Sequence, residues 1–99
     1  VAAPDIKSAA KVLAVLDVLL LNFAYGFSPK ELIEETGFSG ADITRYVNTL
    51  VQCGYAERIT ETGRIRPSHR FAQQAVQILK SMDTAAERIK ESQNRINRG

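Results

Sequence analysis

Apolar positions in this chain recur at helical spacing in four stretches and at strand-like spacing in one, and their order predicts the architecture. From Ser8 to Phe23 the run is almost wholly apolar, with only Lys11, Asp17 and Asn22 clearly polar after the serine, which predicts a buried first helix over 8–23. Leu32 and Ile33 then mark a short second helix. Ser28 is placed to cap it, Pro29 presets φ at its first position, and Glu31 stands where it can complete a capping box. Gly37 stops that helix and Phe38 supplies an apolar side chain for the core beneath the turn. Ser39 restarts the pattern as a second cap with Asp42 three residues on. Ile43, Tyr46, Val47 and Leu50 then share one face of a helix over about 39–53, which Gly54 ends.

Residues 55–67 change period and read as two short strands around the turn Thr60-Glu61-Thr62-Gly63, where glycine permits positive φ. Beyond them, Phe71, Ala75, Ile78, Met82, Ala85, Ile89, Ser92 and Ile96 are spaced alternately by four and three, the seam of a coiled coil. The early part of this tail adds Ala72, Val76 and Leu79, a wider stripe suited to packing back on the first helix. The expected class is therefore mainly α with a small β-hairpin wing: a winged helix-turn-helix followed by a long C-terminal helix. Its organisation reads as a flexible N-terminus over 1–7, the winged helix-turn-helix over 8–70, and a dimerisation or coiled-coil segment over 71–99.

The face of the third helix opposite its apolar stripe carries Ala41, Thr44, Arg45 and Asn48 at three-and-four spacing, small and polar enough to enter a major groove. Arg45 has the fork to meet guanine O6 and N7, Asn48 suits adenine, and Ala41 or Thr44 suits a thymine methyl. Gly40 leaves room for close approach, and the Ser39 hydroxyl with the backbone N–H groups at the helix start suits a phosphate. Asp42 is the exception, since its carboxylate repels phosphates; capping, or accepting from a cytosine amino group, is its expected role. Arg58, Arg64 and Arg66 make the hairpin a basic wing, with Arg64 beside its tip expected on the backbone or in the minor groove. Against this stands the plainer possibility of a solvated hairpin whose charges blunt its edges, which Glu61 favours.

The run from Ser8 to about Phe71 resembles the winged helix-turn-helix module of IclR-type bacterial transcription regulators. The resemblance is carried by Ser8, Ala9-Ala10 and Val12-Leu13-Ala14-Val15-Leu16 in the first helix and Thr36-Gly37-Phe38 in the turn. Ile43, Arg45, Leu50 and Val51 add to it, then Gly54-Tyr55 entering the wing and Gly63-Arg64-Ile65-Arg66 leaving it. It implies sequence-specific binding to double-stranded DNA and transcriptional regulation, with a chain that is bacterial or phage-encoded and cytoplasmic in a bacterial cell. Ala41 and Asp42 depart from the family, where small hydroxylic side chains are usual, so the operator preferences do not carry over. The family's effector-sensing domain is not expected within these 99 residues.

Composition narrows the alternatives. A 44% hydrophobic chain of this length supports one modest core. The net charge of +2 is mild, so affinity for nucleic acid has to come from local arrangement. The single cysteine, Cys53, excludes an internal disulfide and a multi-cysteine zinc site and reads as a packing residue. The first helix, interrupted by Asp17, is too short to span a bilayer. His69 has no nucleophile or carboxylate at a catalytic spacing, Glu31, Glu34 and Glu35 lack a histidine to make a metal site, and the glycines sit at turns and caps. No enzyme and no cofactor is expected. The expected partners are double-stranded DNA and a second copy of the chain, through Leu20, Ile78, Met82, Ala85, Ile89 and Ile96, with no membrane involved. The alternative function is a winged-helix protein–protein interaction or scaffolding module in a nucleoprotein complex.

Overall fold

The computed structural model describes residues 3–98 and contains, in order, α1 (Lys7–Leu20), α2 (Pro29–Thr36), α3 (Gly40–Gln52), β1 (Ala56–Arg58), β2 (Ile65–Pro67) and α4 (His69–Arg98). The loose N-terminus expected over 1–7 falls partly on residues 1 and 2, outside the described residues, and Lys7 already belongs to α1.

Helix boundaries follow their caps. The Ser28 hydroxyl accepts from the Glu31 N–H at 3.1 Å and the Glu31 carboxylate accepts from the Ser28 N–H at 3.2 Å, closing the capping box. Gly37, at φ +74°, ends α2. Ser39 caps α3 by accepting from the Asp42 N–H at 3.1 Å. The first helix is shorter than the expected 8–23. Its end tightens into three-residue turns, with Leu21 and Asn22 donating to Val18 and Leu19. Gly26 then donates back to the Asn22 carbonyl at 2.8 Å, turning the chain.

Amphipathic faces assemble the core of the first compact unit, which ends at His69. Val15 and Leu19 of α1, Leu32 of α2, and Ile43, Tyr46, Val47 and Leu50 of α3 are buried together with Ala56 and Ile65 of the hairpin. Phe38 lies half-buried against this cluster, its ring edge-on to Tyr46 at 5.8 Å. The strands are antiparallel, with Ala56 opposite Pro67, Glu57 opposite Arg66 and Arg58 opposite Ile65. Phe27 extends this small sheet on its other edge by exchanging both backbone hydrogen bonds with Ile65, each 2.8 Å. Close approach there requires a glycine at 26, at φ +69°, because a Cβ would stand 2.1 Å from the Ile65 carbonyl oxygen. Between the strands the chain turns on hydrogen bonds from Gly63 and Thr62 to the Ile59 carbonyl.

The second unit, from Arg70 onward, comprises helix α4 beyond its first residue, taken by itself. Thirty residues run without interruption, and Ile78, Met82, Ile89 and Ile96 are all exposed along it. The tail is a continuous helix, as its heptad spacing indicates.

Candidate nucleic-acid interface

The outward face of α3 is assembled as its spacing requires. Ser39, Gly40, Ala41, Thr44, Arg45 and Asn48 are exposed, while Ile43, Tyr46, Val47 and Leu50 fix the opposite face in the core. Thr44 is exposed and donates its hydroxyl to the Gly40 carbonyl at 3.0 Å, which fixes the side chain on the helix. The Arg45 side chain is 72% exposed, 3.4 Å from the Asp42 carboxylate and with its guanidinium carbon 5.9 Å from the Tyr46 ring centre. Such an ion pair in open solvent is weak and readily exchanged for another acceptor. Asp42 therefore lends its N–H to the cap and its carboxylate to Arg45.

The wing arginines are not equivalent. Strand alternation puts Arg64 and Arg66 on one face of the hairpin and Ile65 on the other. Arg64 is engaged within the molecule: Nη1 donates to Glu31 Oε1 at 2.7 Å, Nη2 to the Gly26 carbonyl at 2.8 Å, and Nε to the Tyr25 carbonyl at 3.1 Å. Its fork thus ties the wing to the start of α2. Hydrogen bonds from Arg64, and next those with Ser28, hold the Glu31 carboxyl below its ordinary range against the opposing effect of desolvation. Arg66 pairs with Glu57, its cross-strand neighbour, at 2.8 Å and reaches the Ala24 carbonyl at 3.4 Å. Arg58 instead donates to the amide oxygen of Asn48 at 2.7 Å, joining β1 to α3.

Three arrangements escaped the sequence reading. The Arg64–Glu31 and Arg58–Asn48 contacts join residues 33 and 10 positions apart, so no local pattern announces them. Cys53, expected to pack, is exposed, because the helix ends there and leaves the side chain at the edge of a depression. Val12, Leu13, Leu16, Thr49, Leu50 and Tyr55 line the remainder of this hollow of about 360 Å³ between α1 and α3.

A capped helix pair at a turn, α2 and α3, the second of them presenting a polar face, with α1 packed behind and a hairpin fastened beside them, defines a winged helix-turn-helix. The same fold is found in HmgR from Pseudomonas aeruginosa, with a TM-score of 0.69 and 22% sequence identity over 82% of this chain and 33% of that one. An IclR family transcriptional regulator from Brucella abortus is also similar, at a TM-score of 0.61 and 21% identity over 81% of this chain and 31% of the other. The chain spans about a third of the length of these proteins. No family model matches the sequence, and no curated protein is significantly similar to it. The fold expected from the resemblance to IclR-type regulators is the one observed.

Proposed function

We propose that this chain is a sequence-specific double-stranded DNA-binding module of a transcriptional regulator, working as a dimer with α3 in the major groove. The observation that carries the reading is the exposed face of α3, where Thr44, Arg45 and Asn48 project from a helix held rigid by its buried side and capped at Ser39. Arg45 reads a base edge, and Ser39, Gly40 and Ala41 allow the helix start to approach the backbone. The partners of Arg64 and Arg66 move the weight of the wing's contact from those residues to Arg58. The exposed seam of α4, with Ile78, Met82, Ala85, Ile89 and Ile96, supports pairing with a second copy, and Leu20, 39% exposed on α1, supports a contribution from that helix.

Titration of labelled duplexes selected from a random pool tests this reading. Arg45→Ala is expected to lose about 1–3 kcal/mol at the base pair it reads and to relax the preference there. An unaltered affinity and preference would reject the face. The neutralisation of Arg64 and Arg66 by carboxylates favours a second reading, a protein–protein interaction or scaffolding module in a nucleoprotein complex. That reading is the one supported if no duplex is selected at low salt.

A further inference from the structure

Strand alternation places Ala56 and Arg58 on the same face of the hairpin, the one directed at the core and α3. Ala56 is buried there; Arg58, two residues further along and past the edge of the core, meets Asn48 instead. A guanidinium has donors and no acceptor, so the amide atom facing it at 2.7 Å is the oxygen, and the orientation of the Asn48 side chain is thereby fixed. What the amide has left to offer is chiefly its two N–H groups. Arg58 adds more N–H groups, and among the described residues no carboxylate pairs with it, in contrast to Arg45, Arg64 and Arg66.

We propose that Asn48 and Arg58 form one reading unit that selects a pair of acceptors, the O6 and N7 edge of guanine, with Arg58 setting the specificity by occupying the Asn48 oxygen. The inference rests on the DNA-binding reading above. An asparagine standing alone prefers adenine, because its oxygen accepts from the N6 amino group while its nitrogen donates to N7. Here Arg58 engages one lone pair of that oxygen, and an N6 amino group approaching the other would meet the guanidinium N–H groups beside it, donor against donor. The arrangement reverses the preference that Asn48 suggests in the sequence alone. A phosphate oxygen offers the same acceptor chemistry as guanine, and the two differ in whether the contact depends on base identity.

The test uses the full chain and a duplex selected from a random pool, with each base pair then replaced in turn. Competition binding is measured for the unaltered protein, Asn48→Ala, and Arg58→Met, which keeps the aliphatic stem and removes the donors. At one position the unaltered protein is expected to favour guanine over adenine about tenfold. Asn48→Ala levels that preference, and Arg58→Met levels or reverses it toward adenine while other positions keep theirs. Both side chains are exposed, so thermal melts of the two variants should match the parent. An adenine preference in the unaltered protein at the position sensitive to Asn48 overturns the proposal, as does a base profile indifferent to either substitution. Arg58→Met weakening all sequences equally, with the log–log salt slope smaller by about 0.9, also overturns it and makes Arg58 a phosphate contact. Failure of the unaltered protein to bind any duplex at low salt removes the DNA-binding reading itself, a result reached before the variants are compared.

Discussion

At the residue scale, Gly26 and Gly63 separate two reasons for glycine. Both have positive φ, +69° and +73°, but a Cβ at Gly63 would enter open space whereas one at Gly26 would collide with the backbone of Ile65. Gly63→Ala therefore carries only the left-handed backbone penalty, about 1 kcal/mol, and Gly26→Ala adds displacement of the wing, for a total of about 2–4 kcal/mol. Urea unfolding of the two variants checks the order, and equal losses would mean that the approach of Phe27 to Ile65 is unimportant for stability. Ile65 is fully buried where α1, the hairpin and the Phe27 segment converge. Its replacement by alanine leaves a cavity at that junction and should cost about 2–5 kcal/mol in the same measurement.

At the element scale, the wing is held by charge as well as by its short strands, and this gives it an acid sensitivity. The folded protein keeps the Glu31 carboxyl below its ordinary value of 4.5 through Arg64 first and Ser28 next. Its contribution is accordingly complete above that ordinary value and is lost as pH falls through the lowered one. The difference in unfolding free energy between the parent and Glu31→Gln should stay constant from neutral pH down to about 5 and shrink below it. A difference that holds through the whole acid range would show that the charge on Glu31 contributes nothing to fastening the wing. The elements themselves were legible because their signals are local: Ser28, Pro29 and Glu31 spell a helix start, and Ile43, Tyr46, Val47 and Leu50 trace a buried face. The strands were legible from the change of period and the turn. What failed to show was the occupation of the arginines. Arg64 reads as a free cation beside a hairpin tip until the fold brings Glu31 and two carbonyls to it, and Arg58 reads as one more basic wing residue until β1 lies beside α3. The end of α1 was misplaced for a related reason, because the turn after Leu20 is set by Asn22 and Gly26 meeting across four residues, not by a helix-breaking residue.

For the whole molecule, a net charge of +2 leaves little general attraction to a polyanion, so the proposed binding depends on adding few contacts twice over. Two copies paired through α4 would present two recognition helices to half-sites about one helical turn apart, and symmetry would double both the bases read and the phosphates neutralised. With about four phosphates per copy, the dimer's log affinity should fall against log salt with a slope near −7, and a lone copy's with a slope near −3.5. No helix among the described residues is long and apolar enough to cross a membrane, and the exposed apolar stripe of α4, widened by Val76 and Leu79 in its early part, narrows to Met82, Ile89 and Ile96 farther along. Lysine at both Met82 and Ile89 places like charges along that stripe and should shift sedimentation equilibrium from dimer toward monomer. The same variant should bind duplex with about half the parental salt slope, because the winged helix is left intact while its copy is lost. A parental chain that sediments as a monomer would remove the pairing altogether, whereas a double-lysine variant that keeps the full slope would place the pairing surface elsewhere than the α4 seam.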